Sequence, residues 1–238
     1  MSEHDPLQTR LVELGLEVPD VSALHEGGNP ADFGKYGRFL GKLYANENGV
    51  PQPPTEAQLN EAAHEFGGPT IKKLYSYIGG LTVLNDLAGI VTVAVAAQWD
   101  EDKLLENGRW FSHMLGSPES PKRISQGDLH EGSSLFISPS LSRIERAFGN
   151  LTTYNDRLGF VTDVTMKRWT DQDWIDNGTW LSHSAGSPRR PRKLSADELR
   201  QGASASISPP ISRIYKRYLN HETHHPRCNN WYPRSTLV

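Results

Sequence analysis

Three short segments of the chain place apolar residues at spacings of three and four, with polar residues between them. This spacing keeps the apolar side chains on one face of a helix and does not fit a strand, whose faces alternate at every residue. Proline stands at or just before the start of each segment, as is common in the first turn of a helix. We therefore predict three amphipathic helices. Their apolar faces are Ile71, Leu74 and Ile78, then Leu141, Ile144 and Phe148, then Ile211, Ile214 and Tyr218.

These segments belong to a longer repeat. The sequence ISPSLSRIERAFGN (137–150) returns as ISPPISRIYKRYLN (207–220), and a weaker version begins at Pro69. The offset is about 70 residues both times, and the similarity between 99–150 and 169–220 continues without a gap. We predict an all-α fold of three tandem small helical units, with no β-sheet of any size. The expected segments are an acidic stretch over 1–30, repeats over 31–98, 99–168 and 169–220, and a divergent tail over 221–238.

Each copy is predicted to contain three helices and a short fourth. The first helix carries a glycine on its apolar face, Gly108 or Gly178, with Gly37 in a similar place in the first copy. A glycine in a helix costs about 1 kcal/mol relative to alanine, so its recurrence indicates a close helix crossing. A turn at Asn-Gly is the alternative. The second helix is predicted to begin after an N-cap residue, Thr55 or Ser195 in the clearest copies, each followed by a capping-box Gln or Glu.

The outward side of the third helix carries bases and hydroxyls in every copy. A compact helical unit of this kind has the layout of a helix-turn-helix DNA reader. Its arginines could reach phosphates or guanine edges, and its serines could donate hydrogen bonds near the helix N-terminus. An ordinary basic surface on a helical bundle is the alternative. The candidate DNA-binding residues are Thr70, Lys72, Lys73, Ser76, Ser140, Ser142, Arg143, Arg146, Ser212, Arg213, Lys216 and Arg217.

Charge is distributed unevenly along the chain. The net charge of −3 would by itself argue against a nucleic-acid partner. The first 30 residues are strongly acidic, however, and the last third is basic. Its densest cationic cluster follows the first helix of the third copy and is either a solvated loop or a further set of phosphate contacts. The cluster consists of Arg189, Arg190, Arg192 and Lys193.

The repeats resemble the homing-endonuclease-associated repeat, a short helical DNA-binding module. The resemblance rests on Trp-Thr-Asp-Gln-Asp at 169–173, a Gly-x-Pro linker, a leucine in helix two, the proline start of helix three and the closing Leu-Ala-Gly-Ile at 87–90. It implies an all-helical fold and double-stranded DNA as the partner. The chain departs from the family pattern after helix three, where the family has Gly-Ser-Trp-Asn and this chain has Gly149-Asn150-Leu151-Thr152.

The sequence contains few residues that would favour metal binding or catalysis over DNA binding. His221, His224, His225 and Cys228 have the side chains of a zinc site, but without a second ligand cluster a polar tail is the preferred interpretation, and we expect no metal and no cofactor. The sequence contains no phosphate-binding glycine loop, nucleophile elbow or HExxH pair, so we expect no catalytic residues. The repeated tryptophans are predicted to be core residues. These are Trp99, Trp110, Trp169 and Trp180.

Two functions therefore remain. The favoured one is a non-catalytic, sequence-specific double-stranded DNA-binding protein, such as a transcriptional regulator or the targeting module of a phage or mobile element. The alternative is a helical-repeat array for protein interaction, which binds an acidic partner through its basic third copy. No apolar run is long enough to cross a bilayer and the acidic start does not fit a signal peptide, so a soluble, cytoplasmic protein is expected.

Overall fold

The computed structural model describes residues 6–117, 119–187 and 191–218. These residues form helices and no strand, which confirms the all-α prediction for this part of the chain. A short 3-10 helix covers Ser22–Glu26. The α-helices are α1 (Pro6–Glu13), α2 (Pro30–Leu43), α3 (Glu56–Phe66), α4 (Ile71–Ile78), α5 (Leu81–Ala88), α6 (Val93–Gln98), α7 (Glu101–Leu115), α8 (Gln126–Ser134), α9 (Leu141–Phe148), α10 (Leu151–Arg157), α11 (Asp163–Arg168), α12 (Asp171–Ala185), α13 (Ala196–Ser204) and α14 (Ile211–Tyr218).

Helix bounds recur along the chain with the same offset as the sequence. The helices α7, α8 and α9 match α12, α13 and α14 in length and position. The helices α4, α5 and α6 likewise match α9, α10 and α11, except that α10 is one residue shorter than α5. The pair α6 and α11 is a fifth helix that we did not predict from the sequence. Each of these two helices begins after a threonine, Thr92 or Thr162, whose hydroxyl accepts a hydrogen bond from the backbone N–H three residues on.

The chain divides into two compact units. One unit takes its described residues from Met1–Leu104 and Gln126–Arg143, and the other from Leu105–Ser125 and Ile144–Val238. The division falls inside the second sequence repeat, so the compact units do not coincide with the repeats. The arrangement of three separate repeats stays a prediction.

The core of the first unit lies between α2 and its neighbours. Phe33, Tyr36 and Leu40 are fully buried on one side of α2. The N-terminal stretch contributes to this core, because Leu7 of α1 and Leu24 of the 3-10 helix are also buried in it. The acidic first 30 residues therefore include apolar anchors for the first unit.

The recurring glycine of the first helix lies inside helical backbone. Gly108 and Gly178 fall within α7 and α12, so the alternative of an Asn-Gly turn is wrong. A Cβ at Gly108 would overlap the Tyr154 hydroxyl and lie 2.8 Å from Tyr154 Cζ. A Cβ at Gly37 would lie 2.8 Å from the Cβ of Ala88, on α5. At Gly37 and Gly108 the close approach predicted from the sequence is confirmed, and each glycine faces the helix that follows the third.

Candidate nucleic-acid interface

The connection before the third helix has the same geometry in two copies. Phe136 and Ser206 occupy equivalent positions and have left-handed backbone with φ of 57° and 55°. Both carbonyls accept a backbone hydrogen bond from an equivalent valine: Val91 N to Phe136 O at 2.7 Å, and Val161 N to Ser206 O at 2.6 Å. Because few non-glycine residues take a positive φ, its repetition marks a fixed turn rather than a variable loop. This turn sets where α9 and α14 begin.

The inner side of α14 is fixed by the core of the second unit. Ile214 is 1% exposed and packs with Trp174, Leu181, Leu194 and Leu199. With Ile214 turned inward, the other side of the short helix faces solvent. Ser212, Arg213 and Lys216 are exposed, as the apolar spacing predicted, whereas Arg217 is half-buried.

The cations of α14 differ in how firmly they are held. The Arg217 guanidinium donates to Asp171 Oδ1 from Nη2 at 2.7 Å and lies over the Trp174 ring at 5.2 Å. Arg213 is more loosely held, 3.5 Å from Asp163 Oδ1, with both side chains more than half exposed. Exposed ion pairs of this kind contribute about 0–1 kcal/mol, so an incoming phosphate can compete for the arginine. Lys216 has no ion pair with any residue in the described part of the chain.

Arg143 occupies the position equivalent to Arg213 but has a different role. Its Nε donates to Ala96 O at 2.8 Å and its Nη2 donates to Trp99 O at 2.5 Å. Both carbonyls are at the C-terminal end of α6, where backbone acceptors lack partners within the helix and cations are favoured. Arg143 therefore caps α6 and has two fewer donors for a ligand. Arg146, one turn further on, is exposed.

The remaining candidates of the first two copies are surface residues. Thr70, Lys72, Lys73 and Ser76 are all exposed on α4 or at its start. Lys73 Nζ lies 3.3 Å from His25 Nδ1. In the second copy, Ser140 and Ser142 are close enough to hydrogen-bond to each other, with their hydroxyl oxygens 3.1 Å apart.

The basic cluster before α13 is only partly described. Arg189 and Arg190 lie outside the described residues, and Lys193 is exposed. Arg192 donates from Nε to Ala185 O at 2.9 Å and forms an ion pair with Glu198. Arg192 therefore links the end of α12 to the start of α13.

Capping boxes fix the first turns of α12 and α13. Ser195 accepts from Glu198 N, and the Glu198 carboxylate accepts from Ser195 N at 2.8 Å. That backbone hydrogen bond, together with Arg192, lowers the pKa of Glu198 below its usual value. The Thr170 hydroxyl, donating to Asp173 Oδ2 at 2.7 Å, likewise lowers the pKa of Asp173. The box predicted at Ser195 is confirmed, as is the one at Thr55.

The prediction that all four repeated tryptophans are core residues is wrong for two of them. Trp110 and Trp180 are each 51% exposed, at equivalent positions of α7 and α12. Trp99 is buried, and its Nε1 donates to Asp86 Oδ1 at 2.9 Å. Trp169 is half-buried and packs edge-on against Trp174, with the ring centroids 5.4 Å apart. Residue type alone suggested burial, but two of these helical positions face solvent.

The described residues contain no cluster of three or more His, Cys, Asp or Glu side chains that could hold a metal. The histidines and the cysteine of 221–238 lie outside the described residues, so the interpretation of that tail stays open. Among the helices described, none is both long and apolar enough to cross a membrane.

The chain matches no protein-family model, and no curated protein or solved structure is significantly similar to it. The resemblance to the homing-endonuclease-associated repeat therefore stays a prediction.

Proposed function

We propose that the protein is a non-catalytic, sequence-specific double-stranded DNA-binding protein made of three tandem helix-turn-helix-like units. In this proposal each unit uses the exposed side of its third helix, and α14 is the main reader. The biological role would be transcriptional regulation, or the targeting of a phage or mobile-element system.

The observation that carries the proposal is the exposed side of α14. Three cations within five residues, Arg213, Lys216 and Arg217, lie on one short helix whose start is set by a fixed turn. Ser212 adds a hydroxyl in the first turn. Arginine and lysine supply both phosphate contacts and bidentate contacts to guanine, and serine can bond to phosphate or base edges. A rigid helix with such an outer side fits recognition of a groove in DNA.

Selection from a random duplex library tests this proposal. The purified chain should enrich a defined sequence, and fluorescence anisotropy should then show tighter binding to that duplex than to a scrambled one. In the same assay, Arg213→Ala should act in one of two ways. Uniform weakening across sequences would mark a phosphate contact, whereas relaxed preference at one base pair, at a cost of about 1–3 kcal/mol, would mark base readout.

The matched control changes two exposed lysines of α2, Lys35→Gln and Lys42→Gln, which remove the same kind of charge from a helix that the proposal does not use for DNA. The control should bind the selected duplex as the unchanged protein does. Absence of binding to any duplex at low salt would contradict the proposal.

The exposed tryptophans favour the second candidate, a protein-interaction array for an acidic partner. Trp110 and Trp180 stand at equivalent exposed positions, and tryptophan is enriched among the residues that dominate protein interfaces. Polyglutamate is a suitable probe for this candidate. Binding of polyglutamate but not of duplex DNA, at matched ionic strength, would replace the first proposal with the second.

A further inference from the structure

The second unit contains a cavity of about 290 Å³ among α11, α12 and α14. Four of the side chains that line it are cationic: Lys167 from α11, and Arg213, Lys216 and Arg217 from α14. Asp163 is the acidic residue in the lining. Like charges that share one cavity repel each other, and the repulsion is relieved most directly by an anion between them.

Acidic neighbours offset only part of this charge. Asp163 lies 3.5 Å from Arg213, and Asp171 accepts from Arg217. The two lysines, Lys167 and Lys216, have no carboxylate partner within residues 6–117, 119–187 and 191–218. The cavity therefore has an excess of positive charge, and the arginines are oriented by carboxylates and by the Trp174 ring.

The preceding copy does not form this site. The positions equivalent to Lys167 and Arg217 are Ala97 and Ala147. At the position equivalent to Arg213, Arg143 donates its hydrogen bonds to the end of α6. The cationic cavity is thus a property of the third copy and is not required to build the repeat.

We propose that this cavity binds a phosphoryl group, with Lys167 and Lys216 as its principal cationic partners and Arg213 and Arg217 on either side. Arginine forms bidentate pairs with phosphate oxygens, and lysine acts as a compact point charge. The volume of about 290 Å³ lies just below the roughly 300–1,000 Å³ range of ligand pockets, which suits a phosphate with an attached sugar better than a whole dinucleotide. The group comes either from the DNA backbone, in which case the inference rests on the proposed function, or from a free phosphorylated small molecule.

Inorganic pyrophosphate is the probe, titrated into the full chain by isothermal calorimetry with ionic strength held constant by NaCl. We expect saturable binding at one site per chain. The double variant Lys167→Gln/Lys216→Gln should bind at least about tenfold more weakly, because it removes two charge-assisted partners. The control Lys35→Gln/Lys42→Gln has the same net charge as the Lys167→Gln/Lys216→Gln variant. It should bind pyrophosphate as the unchanged chain does. Circular dichroism before titration checks that both variants are folded.

Absence of saturable heat, or equal weakening in the double variant and the control, would overturn the phosphoryl site. A second arm identifies the source of the group. Displacement of a labelled duplex by pyrophosphate would assign the cavity to a backbone phosphate. Pyrophosphate binding with no displacement, or with no duplex binding at all, would assign it to a free phosphorylated molecule. In the last case the DNA-binding proposal fails and the phosphoryl site stands.

Discussion

The third helices of the second and third copies share a sequence and a turn but differ in how they use their arginines. Both follow an Ile-Ser-Pro segment, and both are preceded by a left-handed turn residue at an equivalent position, Phe136 or Ser206. Yet Arg143 binds the carbonyls at the end of α6, whereas Arg213 extends toward Asp163 and is mostly exposed. Counting basic residues on a helix therefore overstates the charge available to a partner.

The difference continues along the two helices. The second copy has Glu145 and Ala147 where the third has Tyr215 and Arg217. The outer side of α9 consequently carries a mixed charge, and that of α14 is purely cationic. The exposed side of α14 therefore carries more positive charge than that of α9, where Glu145 offsets Arg146 and Arg143 is bound to backbone carbonyls.

The largest expected effect on stability comes from a substitution at Gly108, where α7 packs against α10. Gly108→Leu should lower the free energy of unfolding by about 3 kcal/mol, because the new side chain must displace the buried Tyr154 ring. Urea denaturation measures the change. Glu106→Leu, at an exposed position of the same helix, is the control and should change stability by less than about 0.5 kcal/mol. A Gly108→Leu protein as stable as the control would contradict the close packing of α7 against α10.

The next prediction tests whether Arg143 and Arg213 contribute differently to stability. Arg143→Ala should cost about 1–2 kcal/mol of stability, since the hydrogen bonds to Trp99 O and Ala96 O are lost and Ala96 O keeps only the one from Trp99 N. Arg213→Ala should cost less than about 0.5 kcal/mol, because its ion pair is exposed and screened. The midpoints of urea denaturation of the two variants, compared with that of the unchanged protein, measure the two losses of stability. Equal losses would mean that the two arginines share one structural role.

The smallest effect concerns the capping box of α13. Ser195→Ala should cost about 1 kcal/mol near neutral pH, as loss of an N-cap usually does. Since the folded state lowers the pKa of Glu198, its contribution is complete above the unfolded value of about 4.3 and is lost as the pH falls through the folded-state value. Stability measured from pH 7 to pH 3 should therefore fall less steeply in Glu198→Gln, which has no carboxylate to titrate, than in the unchanged protein. Parallel curves for Glu198→Gln and the unchanged protein would show that Glu198 contributes no pH dependence.

Periodicity in the sequence predicts the long helices and the inward side of α14, because burial of Ile214 follows directly from apolar spacing. It does not reveal α6 or α11, whose six residues are too few for a periodic pattern. The threonine N-caps at 92 and 162 are the available signal. It also does not reveal the role of Arg143, whose acceptors lie more than 40 residues away in the chain and are backbone atoms. Contacts of this kind depend on tertiary structure.

The salt dependence of duplex binding tests the central claim about α14 most directly. If about six phosphates are neutralised, the logarithm of the association constant should fall against the logarithm of salt concentration with a slope of about −5. Arg213→Gln/Lys216→Gln should make the slope shallower by about 2, and the control Lys35→Gln/Lys42→Gln should leave it unchanged. An unchanged slope in the α14 variant, or duplex binding that survives neutralisation of Arg143, Arg146, Arg213 and Arg217 together, would contradict the account.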